Sequence, residues 1–120
     1  MHVGVMRLAL EIPGARSLKD KRQVVRSFKE RVKSQLGISI AEVAHHDKLQ
    51  RATLGVAVVS GDKAMCEQLL GRVASMASCL ADAILADRAS EMISFGEGGT
   101  GVQGGIEQMA SDFSDEEDDA

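Results

Sequence analysis

Residues 2–20 read HVGVMRLALEIPGARSLKD, and this stretch decides the fold. From His2 to Ile12 the chain alternates, with Met6, Leu8, Leu10 and Ile12 on one face and Val3, Val5, Arg7, Ala9 and Glu11 on the other. A period of two over this length predicts a half-buried strand. Pro13-Gly14 ends it. Ser17-Leu18-Lys19-Asp20 then has the pattern of a capping box, with an acid at the third helical position. Leu18, Val25, Phe28, Val32 and Leu36 follow at helical spacing, and Gly37 is a natural stop.

Beyond this first strand–helix unit, Ile38 to His45 reads as a second strand, and His46 to Arg51 as a polar connection. Ala52 to Val59 is nearly all apolar, which predicts a third strand in the middle of a sheet. Ser60-Gly61-Asp62 makes a turn and a cap. Cys66, Leu69, Leu70, Val73, Met76, Ala77, Leu80 and Ile84 then form the stripe of a second helix, and Ala89 to Phe95 a last strand. The order β-α-β-β-α-β predicts an α+β, ferredoxin-like sandwich, a four-stranded antiparallel sheet with two helices on one face. Residues 1–96 form that domain. Residues 97–120, with Gly98-Gly99, Gly104-Gly105 and Asp115 to Asp119, are expected to be a disordered acidic tail.

Of the 120 residues, 44% are hydrophobic and 27% charged, within the range of globular proteins. The longest run without a charge, Ala52 to Gly61, is far short of the roughly 20 residues that span a bilayer. No signal peptide is evident at the N-terminus. Two cysteines, Cys66 and Cys79, with no C-x-x-C, suit a reducing cytoplasm. The net charge of −4 hides two opposite regions: residues 1–96 carry +4 and residues 97–120 carry −8.

The positive charge is patterned. Lys19, Arg22, Arg26, Lys29 and Lys33 are spaced 3, 4, 3 and 4, within roughly an 80° stripe of the first helix, which is expected opposite its apolar face. The stripe runs about 21 Å, enough to follow several phosphates. Stacked like charges destabilise a helix by a few tenths of a kcal/mol per pair. Cations in its first turns oppose the helix dipole as well. A solvated face usually mixes signs instead, so the stripe points to a polyanionic partner. Arg16, Lys21 and Arg51 are expected to add to it.

Other chemistry is sparse. Trp and Tyr are absent, and the outer sheet face offers no aromatic, which excludes base stacking of the RNA-recognition-motif kind. Gly101 to Gly104 is a G-x-x-G in the tail rather than between helices, so it is no KH loop. His45-His46-Asp47 is the one cluster resembling a catalytic or metal site, but neighbouring histidines at a strand end point to opposite sides. It reads as a polar connection, with His46, Lys48 and Arg51 as a further basic margin. Cys66 is expected in the core and Cys79 off it; Met65, Met76 and Met92 read as core filler.

Several segments resemble the YlxP-like family, a small bacterial family of unknown function. They are residues 1–8 (MHVGVMRL), 13–22 (PGARSLKDKR), 41–43 (AEV) and 50–60 (QRATLGVAVVS). The resemblance spans about residues 1–96 and implies a ferredoxin-like fold. Members are encoded beside translation initiation factor two and ribosome-binding factor A, which implies a place in ribosome assembly or translation. It brings no catalytic residues. Relatives often have Trp where this chain has Leu49, and the acidic tail lies outside the family pattern.

The expected function is therefore non-catalytic: phosphate binding by Lys19, Arg22, Arg26, Lys29 and Lys33 with Arg16, Lys21 and Arg51, on ribosomal RNA or the small ribosomal subunit. No cofactor, metal, membrane or small-molecule substrate is expected. The competing class is a protein–protein module, a homodimer or adaptor using the open sheet face at Val3, Val5, Gly55 and Ala57. The tail is expected either to solubilise the protein or to compete with nucleic acid for the basic helix.

Overall fold

The computed structural model describes residues 1–96, and the expectations for residues 97–120 lie outside the described residues. The elements are β1 (His2–Glu11), α1 (Leu18–Leu36), β2 (Ser39–Ala44), β3 (Arg51–Ser60), α2 (Lys63–Ser78) and β4 (Ile84–Ser94). They form one antiparallel sheet in the order β2-β3-β1-β4. The ferredoxin-like sandwich and the central place of β3 stand as expected.

The alternation of β1 sets the layers. Met6, Leu8, Leu10 and Ile12 are buried beneath the helices, and Ala52, Leu54, Val56 and Val58 of β3 join them. Val25, Phe28 and Val32 of α1 and Cys66, Leu70, Val73 and Ala77 of α2 close this core from above. Gly4 lies under α2: a Cβ there would stand 2.9 Å from Leu70 Cδ1 and 3.1 Å from Met92 Sδ. The absent side chain lets the helix settle on the strand.

Two sequence expectations are corrected here. The second helix ends at Ser78, where Cys79 leaves helical geometry and turns its N–H to Met76 O and Ala77 O. Leu80 is therefore outside the helix, and Ile84 opens β4 five residues earlier than its composition suggested. Their helical spacing is a coincidence in a run with no Gly or Pro to mark the stop. Met65 is exposed rather than core filler, while Met76 and Met92 pack against the core. Cys66 is buried and Cys79 exposed, as read. No helix among the described residues is long and apolar enough to cross a membrane.

Candidate nucleic-acid interface

The cationic helix is held firmly at both ends. Ser17 Oγ accepts from Asp20 N at 3.1 Å, and the Asp20 carboxylate reaches back to Arg16 N at 2.9 Å, so two amides at the helix start are satisfied. At the other end Gly37 takes φ 65°, the left-handed region that favours glycine, and donates to Lys33 O at 2.9 Å.

Along α1, Lys19, Arg22, Arg26 and Lys33 are exposed and Lys29 is half-buried. The stripe is not opposite the core. At 100° per residue its centre lies roughly 110° round the helix from that of Lys21, Val25, Phe28 and Val32, which places it on a flank. Asp20, Gln23 and Val24 line a cleft with Ala81 to Ile84 ahead of β4, so the stripe takes the other flank, away from that segment. Arg16 is exposed just before the first turn. Among the described residues the ion pairs are Arg7–Asp87 at 3.9 Å and Lys21–Glu42 at 3.0 Å. Among the described residues none of the five stripe cations is paired with an acid.

Lys21 is not part of this surface. It is only 1% exposed, because it shares the helical phase of Val25, Phe28 and Val32 and enters the core side of α1. Its Nζ donates to His45 O at 2.7 Å and Lys48 O at 2.8 Å, with a longer bond to His46 O at 3.3 Å. Glu42 Oε2 lies 3.0 Å from the same nitrogen but makes no hydrogen bond, so its attraction to Lys21 is Coulombic. A buried ammonium with these partners meets the condition for burying a charge, which is pairing together with hydrogen bonding. Lys21 is thus a clamp on the β2–β3 connection. It cannot reach a phosphate.

The clamp shapes that connection. His45 adopts φ 62°, a conformation costing of order 1–3 kcal/mol in a non-glycine residue. Its carbonyl is held by Lys21 and by Lys48 N, and its Nδ1 lies 2.8 Å from Thr53 Oγ1. His46 Nε2 lies 3.2 Å from Glu42 O instead, so the two rings serve different partners. Among the described residues no group of three or more His, Cys, Asp and Glu side chains is placed to hold a metal. Gln50 ties the connection to the β1–α1 turn, donating to Pro13 O at 3.1 Å and Ala15 O at 3.2 Å. Exposed His46 and Lys48 therefore sit beside the first turns of α1.

Arg51 does not join them. It stands in register with Glu11 on the odd-numbered side of β3, with Gly55 and Ala57, on the sheet face turned away from the helices. It is exposed, but across the sheet from the stripe. Of the eight residues expected to bind phosphate, the fold collects Lys19, Arg22, Arg26, Lys29 and Lys33 along one flank and leaves Arg16 exposed just before the helix. It diverts Lys21 to structure and Arg51 to the opposite face.

The molecule is a ferredoxin-like domain that carries a cationic helix flank, unpaired among the described residues, beside a lysine-clamped connection. It belongs to the family described as "Protein of unknown function (DUF503)", whose model matches residues 3–89. It is 35% identical over 71 residues to "Uncharacterized protein YlxP" of Bacillus subtilis (strain 168), spanning 59% of this chain and 77% of that protein. Among solved structures it is similar to the de novo designed protein Foldit4, with a TM-score of 0.50 and 13% identity over 80% of this chain and 100% of that one. It is also similar to the de novo designed LFR1 1, described as having a ferredoxin fold, with a TM-score of 0.44 and 9% identity over 85% and 93% of the two chains. At 13% identity the likeness to Foldit4 speaks to fold alone, and the weaker likeness to LFR1 1 adds nothing to it.

Proposed function

We propose that the protein is a non-catalytic, cytoplasmic RNA- or ribosome-associated factor that holds phosphate backbone on the outer flank of α1. One observation carries the reading: five cations follow one flank of a single helix with no acidic partner among the described residues. Such an arrangement is unfavourable for an isolated helix. It becomes favourable when phosphates replace the missing acids and condensed counterions are released. Arg16, His46 and Lys48 extend the surface at the start of the helix. With no Trp or Tyr in the chain and Phe28 of α1 buried, recognition rests on backbone charge and shape rather than on stacked bases. The gene neighbourhood implied by the YlxP-like resemblance directs the choice of polyanion to ribosomal RNA or the small ribosomal subunit, in assembly or translation.

The test is binding of the full chain to ribosomal RNA and to isolated small subunits, alongside the triple variant Arg22→Glu, Arg26→Glu, Lys33→Glu. All three side chains are exposed, so the fold survives the exchange. Binding by the parent and loss of binding by the folded variant support the reading. Equal affinity of the two proteins overturns it. Binding to subunits but not to RNA transfers the site to a ribosomal protein.

A further inference from the structure

The open face of the sheet serves neither the lysine clamp nor the cationic flank. A sheet face left in water normally carries polar side chains. Here the register aligns Val59, Val3 and Ile93 in one row across β3, β1 and β4. The next row is Ser39, Ala57, Val5 and Glu91, and the one after it Ala41, Gly55, Arg7 and Ala89. Val59 is 65% exposed, Val43 55%, and Val5 and Ile93 36% each. Val43 lies across Gly55, where an added Cβ would stand 3.0 Å from its Cγ1, so the centre of the face is level. The charges on it are mixed: Arg7 pairs with Asp87, and Arg51 stands opposite Glu11.

We propose that this face is the interface of a homodimer, packed sheet to sheet against the same face of a second copy. Three features select a second copy as the occupant. A level surface of small aliphatic side chains is matched by another such surface, and two sheets in that arrangement pack about 10 Å apart. The mixture of charges is near neutral, so like does not repel like, in contrast to the helix flank. The extent is also sufficient. Four strands at about 4.8 Å spacing and about ten residues at 3.3 Å cover on the order of 600 Å² in plan. The accessible area is larger, near the ~800 Å² per partner of a standard stable interface.

The dimer then has the layer order helix, sheet, sheet, helix, and both α1 flanks stay outside, on opposite surfaces. If those flanks hold phosphate, as proposed above, the dimer is bivalent for RNA; the dimer itself does not depend on that reading.

The experiment is light scattering with sedimentation equilibrium on the full chain over a wide concentration series. The variants are Val5→Asp with Ala57→Asp, Val59→Arg alone, and Arg72→Glu on the exposed side of α2 as a control. A concentration-dependent dimer is expected. The double variant should weaken it at least ~100-fold, since it buries like charges against each other, and Arg72→Glu should leave it unchanged. Val59→Arg, at a strand end, gives a second reading if the double variant misfolds. A monomer at every concentration overturns the proposal. So does a dimer that persists in either open-face variant once circular dichroism shows it folded.

Discussion

Replacing Lys21 by Met keeps the length and much of the shape of the side chain and removes its charge. The structure gives the cost. Three backbone carbonyls of the β2–β3 connection lose a charged donor, at 2.7, 2.8 and 3.3 Å. Hydrogen bonds to charged groups contribute roughly 1.5–3 kcal/mol each, but His46 and Lys48 are exposed and water replaces part of that loss. Glu42 gains no such relief. Its side chain is 16% exposed, and its oxygen next to Lys21 has no hydrogen bond to fall back on. Breaking a buried pair from one side costs about 3–5 kcal/mol, and that range is the prediction for Lys21→Met. It is a large share of the ~5–15 kcal/mol that holds a domain together. The assay is urea unfolding followed by far-ultraviolet circular dichroism, since the chain has no Trp or Tyr to report by fluorescence. At roughly 4–8 °C per kcal/mol the melting temperature should fall by at least ~12 °C. Adding Glu42→Met should restore about 1–3 kcal/mol, because the stranded carboxylate is then gone. A loss below about 1 kcal/mol, or no recovery in the double variant, would refute the clamp.

Gly4→Ala should cost about 1–3 kcal/mol by pressing on Leu70 and Met92, and an unchanged or higher melting temperature would show that the two side chains simply move aside. Gln50→Ala should lose about 1–2 kcal/mol in the same urea assay, because Pro13 O and Ala15 O each give up a donor; equal midpoints would mean that water takes its place. Arg22→Met, one residue from the clamp but exposed, should stay within ~0.5 kcal/mol of the parent in stability and should weaken RNA binding.

The first strand and helix are readable because each is specified locally. The alternation of residues 2–12, the Ser17 and Asp20 cap and the left-handed Gly37 all act within a few residues of where they are written. The boundary between α2 and β4 is not, because Leu80 and Ile84 continue a helical period that only tertiary packing interrupts. Lys21 carried a signal that its charge obscured: it precedes Val25, Phe28 and Val32 by 4, 7 and 11 residues, in phase with the buried stripe. Its partners are backbone carbonyls 24 to 27 residues away, and a carbonyl has no sequence signature. Arg51 reads as the end of the polar connection, and whether it belongs to the strand, and so shares the open face with Gly55 and Ala57, depends on where β3 begins. Pairing with β1 decides that. The stripe itself was legible in spacing, but its position on a flank follows from where the core side chains point.

The most direct measurement is the salt dependence of binding between the full chain and ribosomal RNA. Five phosphate contacts predict a slope of log K against log salt of about −3.5 on single strands to −4.5 on duplex. Each stripe cation removed should reduce that slope by about 1. A slope near zero, or the same slope after Arg22, Arg26 and Lys33 are replaced, would contradict phosphate binding by the flank of α1.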